Sequence, residues 1–264
     1  MERKHRITMI RIVVLITFLS MITVNALANI LPINGITTGQ VSDSYPNLFA
    51  PAGLTFAIWG IIYFLLGGYT LYQLGILQGN ANDVKPDLLN NIGIIFSISS
   101  IANAAWIFSW HYELIPLSMI MMVVILVCLI LIDQVINNEQ LSKRDYLFIR
   151  LPFSVYFGWI TVATIANATV LLVSSGWKGY GLAEETWAVM IIVVGFIIGT
   201  TTMLKNRDVA YGLVIVWAYA GILLKHVSPE GFGGQYFAVI VTTSVCILLL
   251  LVASMYLVIS KRES

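Results

Sequence analysis

Residues 115–136 read IPLSMIMMVVILVCLILIDQVI, and this stretch decides the fold class of the chain. As a helix it is long enough to cross a hydrocarbon core of about 30 Å, and its only charged residue is Asp133, near the end. Inside lipid, the backbone polar groups of a segment have to be satisfied within that segment. The stretch therefore predicts a transmembrane α-helix.

Blocks of the same kind recur along the whole chain. Of its 264 residues, 59% are hydrophobic and 10% are charged, whereas a soluble domain carries about 25% charged residues. We predict an all-α fold, a polytopic membrane helix bundle with about eight transmembrane helices. The predicted spans are Ile7–Ala28, Gly53–Leu74, Leu88–Trp110, Ile115–Ile136, Leu147–Val173, Thr186–Leu204, Val209–Leu224 and Tyr236–Ser260. Polar or Gly/Pro-rich breaks separate them, among them Gly79–Asp83, Asn137–Gln140 and Ser228–Gly231.

The basic residues predict how the chain is threaded, because Lys and Arg collect in cytoplasmic segments. With the amino terminus inside and eight spans, twelve of the 14 basic residues lie inside and only Lys178 and Lys225 lie outside. The inside set is Arg3, Lys4, Arg6, Arg11, Lys85, Lys143, Arg144, Arg150, Lys205, Arg207, Lys261 and Arg262. We expect an integral protein of a bacterial plasma membrane with both termini cytoplasmic.

The first span also has features of a signal peptide. A basic start and an apolar run are followed by Ala26-Leu27-Ala28, which fits an A-x-A cleavage site. Cleavage would leave seven spans in the same orientation, so the charges do not decide between the two readings. The apolar run from Ile7 is long for a signal peptide, and we expect the span to be retained.

Composition and spacing argue against several function classes. A net charge of +1 without a basic stripe predicts no nucleic-acid partner. Cys128 and Cys246 both lie inside apolar spans and show no metal or disulfide spacing. His5, His111 and His226 are terminal or in loops, so we expect no pair that ligates haem within the membrane. We expect no catalytic residues, no metal site and no required cofactor.

Aromatic side chains are abundant, with seven Trp and twelve Tyr. Some form the belts at the two membrane surfaces. We assign to these belts Trp110, Tyr112, Trp177, Tyr180, Trp187 and Tyr236. Trp59, Trp106, Trp159 and Trp217 lie further from the span ends, where either helix packing or a ligand explains them.

Helical spacing groups three of these indoles with small or amide residues. In the second span Phe56, Trp59, Tyr63 and Gly67 follow an i, i+3, i+7, i+11 pattern and are predicted to share one face. A flat aromatic slot with a few polar groups suits a planar apolar ligand.

The third and fifth spans carry matching groups. Asn103 and Trp106 are neighbours on one helix face, and Trp159, Ala163 and Asn167 are four residues apart on another. An Asn side chain in hydrocarbon needs a partner, which is either another helix or a ligand. In the sixth span, Gly195 and Gly199 form a G-x-x-x-G that predicts a close approach of two helices.

Three motifs resemble the translocator protein family, also known as the tryptophan-rich sensory protein family. They are Pro51–Tyr63 (PAGLTFAIWGIIY), Asn103–Phe108 (NAAWIF) and Gly158–Thr169 (GWITVATIANAT), in the order and spacing of that family. The resemblance covers about residues 7–175. It implies a five-helix bundle in residues 1–175 whose cavity binds porphyrins and similar flat molecules, with residues 176–264 forming three further helices of unknown role.

Residue by residue, the resemblance places six side chains near that cavity. We predict that they line one site opening toward the outer side, under the loop Asn29–Ala52. The ligand-binding residues are predicted to be Trp59, Asn103, Trp106, Trp159, Ala163 and Asn167. The resemblance also implies a homodimer, and the apolar spans imply membrane lipid as a partner.

Two departures from the family pattern affect this alignment. Trp59 follows Phe56 by three residues instead of four. Pro152 lies seven residues before Trp159 instead of four, and alignment on Pro152 would place Tyr156 at the family's Trp position. Where the family's sterol-binding motif has Tyr, this chain has Ala168, which argues against sterol binding.

Taken together, these features predict a membrane sensor or carrier that binds a flat hydrophobic ligand such as a porphyrin without covalent chemistry. Two alternatives stay open. One is a membrane enzyme that degrades a tetrapyrrole through redox-active Trp59 and Trp159. The other is a small-solute permease that uses the last three helices. Because no nucleophile–base pair is recognisable, we favour binding over catalysis.

Overall fold

The computed structural model describes residues 2–31, 33–79 and 85–260, with backbone only for residues 2–6. Throughout this part of the chain the ordered elements are helices, and no strand is present. Eight helices are long and apolar enough to cross a membrane. They are Ile7–Ile30, Gly53–Gln73, Pro86–His111, Ile115–Asn137, Lys143–Ser174, Glu184–Asn206, Val209–Val227 and Phe237–Ser260. The prediction of an all-α polytopic bundle with eight spans is confirmed.

Ten α-helices, α1 to α10, make up these spans and one short connection among the described residues. They are α1 (Glu2–Ile30), α2 (Thr38–Asp43), α3 (Ile58–Gln73), α4 (Pro86–His111), α5 (Ile115–Asn137), α6 (Lys143–Asp145), α7 (Leu151–Ser174), α8 (Glu184–Asn206), α9 (Val209–Val227) and α10 (Phe237–Ser260). Short 3-10 turns at Ile33–Gly35, Gly53–Ala57 and Gly179–Gly181 and a π-helical segment at Tyr146–Arg150 complete the secondary structure. Of the predicted breaks and basic residues, Asn80–Asp83, Lys261 and Arg262 lie outside the described residues.

The fifth span is built from three pieces. Ser142 and Asp145 form a capping box, in which the Ser142 side chain accepts from Asp145 N and the carboxylate of Asp145 accepts from Ser142 N. The π-helical turn that follows is closed by Leu151 N–H, which donates to Tyr146 O. Pro152 comes directly after this turn, and a proline ring clashes with the regular backbone one turn earlier. The wider π turn is a common way for a helix to accommodate such an interruption.

The chain groups into two compact units. The first unit consists of residues 1–38 and 58–157, and the second consists of residues 39–57 and 158–264. These boundaries differ from the predicted division at residue 175, because residues 158–175 group with the last three helices. The division into 1–175 and 176–264 stays a prediction.

In the first unit, α1 packs against α3 and α4, and α4 also packs against α5. The centre of this unit is a set of three aromatic rings. Tyr69 and Phe153 have ring centroids 4.7 Å apart, Tyr69 and Phe96 are 5.3 Å apart, and Phe96 and Phe153 are 5.5 Å apart. All three pairs meet edge to face, the geometry that aromatic rings prefer in packed interiors.

In the second unit, α8, α9 and α10 pack against one another. The two glycines of the G-x-x-x-G lie where α8 meets α9. A Cβ atom at Gly195 would lie 2.8 Å from Tyr219 Oη, and one at Gly199 would lie 3.3 Å from Ile215 Cγ1. The predicted close helix approach is therefore confirmed, and it is used inside this unit.

Polar contacts link helix ends that are predicted to lie on the same side of the membrane. In the first unit, Lys85 Nζ lies 2.8 Å from Glu139 Oε2, which joins the start of α4 to the end of α5 at the predicted inner side. In the second unit, Lys225 Nζ lies 2.7 Å from Asp43 Oδ1 at the predicted outer side. Each unit is thus consistent with the up-and-down threading.

The sidedness itself is a testable prediction from the distribution of basic residues. Topology reporters should be active on the cytoplasmic side when fused after Lys85, Lys143 or Lys205. They should be active on the far side when fused after Tyr45, Trp177 or Ser228. The measurement is a pair of reporters with opposite compartment requirements, such as a phosphatase and a fluorescent protein. Reversed signals at Trp177, Lys205 or Ser228 would contradict the eight-span threading.

Candidate ligand-binding site

The six predicted site residues divide equally between the two units. Trp59, Asn103 and Trp106 belong to the first unit, and Trp159, Ala163 and Asn167 belong to the second. The structure brings the first three together within one aromatic and amide cluster. The prediction that all six line one cavity stays a prediction.

In the first unit, four aromatic rings form a continuous row. Trp59 stacks on Tyr63 with centroids 5.4 Å apart and 17° between the planes. Trp106 stacks on Trp110 at 5.7 Å and 24°. Trp59 and Trp106 join the two pairs at 6.2 Å and 33°. The two stacked pairs are thus joined through a tilted contact, so the four rings form one continuous chain of aromatic contacts across α3 and α4.

Helix geometry explains this row. Each stacked pair has i, i+4 spacing, Trp59 with Tyr63 on α3 and Trp106 with Trp110 on α4, and residues four apart lie one above the other on a helix. α3 starts at Ile58, directly after the 3-10 turn, so Phe56 is not part of the same α-helical face. The predicted face therefore begins at Trp59.

The two pairs differ in accessibility. Trp106 and Trp110 are each only 4% exposed, whereas Trp59 and Tyr63 are half-buried. A molecule that approaches the row therefore meets the rings on α3 before those on α4.

Asn103 connects three helices beside this row. Its Nδ2 donates to Tyr156 Oη on α7 at 3.0 Å, and its Oδ1 accepts from Asn25 Nδ2 on α1 at 2.8 Å. The residue is fully buried, so these bonds provide the partners that an amide in hydrocarbon needs. Tyr156 also contacts Trp59, with ring centroids 6.1 Å apart. Asn103 thus fixes the position of a ring that borders the aromatic row.

One polar atom of the row lacks a protein partner. The Tyr63 hydroxyl is buried and has no hydrogen bond to any of the described residues. A buried hydroxyl that makes no hydrogen bond costs free energy, about 1–3 kcal/mol by protein mutational measures. A ligand with an acceptor or donor at this point would recover that cost.

The other three predicted residues lie on α7 in the second unit. Trp159 is 3% exposed and meets Phe56 edge to face, with centroids 5.9 Å apart and an angle of 80°. Asn167 is also buried, and Ala163 between them is half-buried. The four-residue spacing places the three side chains on one face of α7, as predicted from the sequence.

A feature that the sequence did not indicate is the attachment of residues 39–57 to α9. Ala52 N donates to Gly221 O at 3.0 Å, and Trp217 Nε1 donates to Thr55 O at 3.0 Å. A Cβ atom at Gly221 would overlap the Thr55 side chain, so α9 approaches this segment as closely as a glycine permits. One role of the last three helices is therefore to hold the segment between the first two spans.

The end of α9 adds two further attachments. Lys225 forms the ion pair with Asp43. The next residue is His226, and its Nε2 lies 2.9 Å from Leu48 O. His226 is packed against Phe232, with ring centroids 4.7 Å apart. Both side chains thus act in structure, and Lys225 is an ion-paired lysine at a helix end.

Two aromatic residues of the site were assigned differently from the sequence. We placed Trp110 in an interfacial belt, but it is buried, stacks on Trp106 and donates from Nε1 to Thr38 O at 3.1 Å. Its i, i+4 spacing from Trp106 could have indicated that the two indoles share one helix face. In the sequence, only the alternative alignment on Pro152 identified Tyr156 as a candidate. In the structure, Tyr156 on α7 contacts Trp59 and Asn103.

The chemistry of the site is that of a binding surface built from rings, amides and one hydroxyl. Among the described residues, no group of three or more His, Cys, Asp or Glu is arranged to hold a metal ion. Cys128 and Cys246 are buried free thiols inside their helices, as the sequence predicted.

Comparison with known proteins gives one match. The family model described as TSPO-like protein matches residues 11–256. This range extends past residue 175 and covers α8, α9 and most of α10. No curated protein and no solved structure matches the chain.

Proposed function

We propose that this chain, which belongs to the TSPO-like protein family, is a membrane sensor or carrier that binds a flat hydrophobic ligand of the porphyrin class. The family and the eight membrane helices make it an integral membrane protein. The observation that carries the proposal is the row of four aromatic rings in mutual contact in the first unit.

A planar macrocycle gains more from this row than a bulky molecule of equal size. Stacked aromatic pairs contribute about 0.5–1.5 kcal/mol beyond the area they bury, and a planar ligand can lie against an accessible ring of the row over its whole face, whereas a bulky ligand cannot. The half-buried rings of Trp59 and Tyr63 supply the accessible part of the row. The Tyr63 hydroxyl supplies a polar group that orients the ligand.

We propose Trp59, Asn103 and Trp106 as ligand-binding residues of the first unit. Asn103 acts here through Tyr156, which it holds beside Trp59. For Trp159, Ala163 and Asn167 the proposal is supported by their match to the family motif and their common face on α7. No covalent step is part of this function.

The test is a titration of the detergent-purified protein with protoporphyrin IX, followed by tryptophan fluorescence. We expect saturable quenching, because the ligand stacks on indole rings. Bilirubin is the matched control, since it has a similar set of pyrrole rings but a folded, non-planar shape. It should bind at least about tenfold more weakly, the loss expected when one or two stacking contacts are not made. Equal affinity for both pigments, or quenching that never saturates, would contradict the proposal.

A further inference from the structure

The second unit contains a concave site. It is a half-open cleft of about 500 Å³ between the end of α7, the start of α8 and residues 46–49. Its size is within the range of small-molecule sites, which are about 300–1,000 Å³. None of the six residues assigned to the porphyrin site lines it.

The polarity of the cleft changes from one end to the other. Leu172 and Val173 on α7 and Ile191 on α8 line the part that lies along the membrane spans. Lys178 and Glu184 line the part that lies at the loop joining the two helices. With the predicted spans, we expect the cleft to cross the boundary between hydrocarbon and headgroups. Its apolar and charged parts follow the same order as those of an amphiphile.

The two charged residues of the cleft have opposite signs and are available to a ligand. Neither the Lys178 ammonium nor the Glu184 carboxylate has an ion-pair or hydrogen-bond partner within the described part of the chain. They line one cleft and are not paired with each other. A ligand with one positive and one negative group satisfies both, whereas a purely anionic ligand would meet the repulsion of the carboxylate.

The aromatic wall of the cleft is fixed before any ligand arrives. Trp177 and Trp187 meet with ring centroids 4.7 Å apart and 63° between the planes. Trp187 Nε1 donates to Gly179 O at 2.7 Å. Gly179 has a φ of +61°, and a Cβ atom there would lie 2.6 Å from Trp187 Nε1, so the contact requires glycine. A wall that is already ordered adds little entropic cost to binding.

We propose that this cleft binds a phospholipid with a zwitterionic headgroup. Its acyl chain lies along Leu172, Val173 and Ile191, its phosphate pairs with Lys178 and its ammonium group pairs with Glu184. The indoles of Trp177 and Trp187 pack at the level of the glycerol backbone, where tryptophan is favoured in membranes. Leu172 and Val173, which line the cleft, have exposed apolar side chains, so the proposed lipid enters past them from the bilayer.

The test uses lipids with brominated acyl chains, which quench an indole on contact. The protein is reconstituted in vesicles in which brominated phosphatidylcholine (zwitterionic) or brominated phosphatidylglycerol (anionic) replaces the plain lipid in steps. The difference between the wild type and the Trp177→Phe/Trp187→Phe variant isolates the signal of this pair. We expect phosphatidylcholine to be preferred by about fivefold, the effect of about one headgroup charge contact.

Charge variants give opposite shifts if the proposal is right. Glu184→Gln should move the preference toward phosphatidylglycerol, and Lys178→Gln should move it further away. Lys205→Gln and Glu230→Gln, which remove exposed charges outside the cleft, are the matched controls and should change nothing. A wild-type preference near one, a wild-type preference for the anionic lipid, or unchanged selectivity in both cleft variants would overturn the proposal. Thermal stability in detergent checks that each variant is folded.

Discussion

Gly221→Ala should destabilise the protein. The new Cβ would overlap three atoms of Thr55, the Oγ1, Cγ2 and Cβ, at the point where α9 meets residues 52–55. Overpacking of a tight contact costs about 1–3 kcal/mol, which exceeds the gain of up to about 1 kcal/mol from replacing a helical glycine by alanine. The contact also supports the bond from Ala52 N to Gly221 O. We expect a lower melting temperature in detergent and faster proteolysis within residues 39–57.

The same chain offers a control of opposite sign. Gly60 is exposed on α3, and a Cβ atom there would have no neighbour within 4 Å. Gly60→Ala should therefore raise the melting temperature slightly through helix propensity alone. Thr55→Gly removes all three overlapping atoms. The double variant with Gly221→Ala should therefore lose less unfolding free energy than the two single variants lose in sum. Strict additivity would show that the clash at Thr55 is not the cause.

The eight helices were predictable because membrane insertion is decided by composition over about 20 residues. The span from Ile115 to Asn137 began at the predicted residue and ended one residue later. Short departures from the α-helix were not predictable in the same way. The 3-10 turn at Gly53–Ala57 contacts α9 through Thr55, whose neighbours Trp217 and Gly221 are distant in the chain. The π turn at Tyr146–Arg150 lies just before Pro152, and a proline alone does not predict which irregular turn a helix adopts.

The motif alignment on α7 was ambiguous in the sequence. Pro152 and Trp159 are offset by almost a turn relative to the family pattern, so the motif admits both Tyr156 and Trp159 at one position. In the structure the two side chains have different neighbours. Tyr156 contacts Trp59 and Asn103, and Trp159 contacts Phe56. Spacing along one helix shows which residues share a face. It does not show which neighbour that face meets.

The hydrogen-bond partners of Asn103 illustrate the same limit. The sequence predicted that a buried amide needs either a helix or a ligand, and the structure provides Asn25 and Tyr156. Asn25 was outside every motif, since a single Asn near the end of an apolar span has no periodic signal. It could be identified only once α1 and α4 were seen to pack together.

Trp59→Leu should produce the largest loss of porphyrin binding of any substitution in the first unit. Trp59 contacts three other rings, with centroids 5.4 Å from Tyr63, 6.1 Å from Tyr156 and 6.2 Å from Trp106. Leucine keeps an apolar side chain but breaks the row at its centre and removes an accessible stacking surface. Each aromatic contact that the ligand loses is worth about 0.5–1.5 kcal/mol, so the affinity for the porphyrin should fall by about tenfold or more. Trp59→Phe keeps a smaller ring, so its affinity for the porphyrin should lie between those of the wild type and Trp59→Leu.

The measurement is the shift of the porphyrin absorption band on titration, since Trp59 itself contributes to the fluorescence. Phe64→Leu is the matched control, because Phe64 lies on the same helix and is 81% exposed. It should leave both affinity and melting temperature unchanged. Because Trp59 is half-buried, its variants should fold, and their melting temperatures check this. Unchanged affinity in folded Trp59→Leu would remove the aromatic row from the site. Light-dependent loss of bound porphyrin in the wild type that disappears in Trp59→Phe would instead favour the degrading enzyme, because the indole would then act as a redox group and not only as a stacking surface.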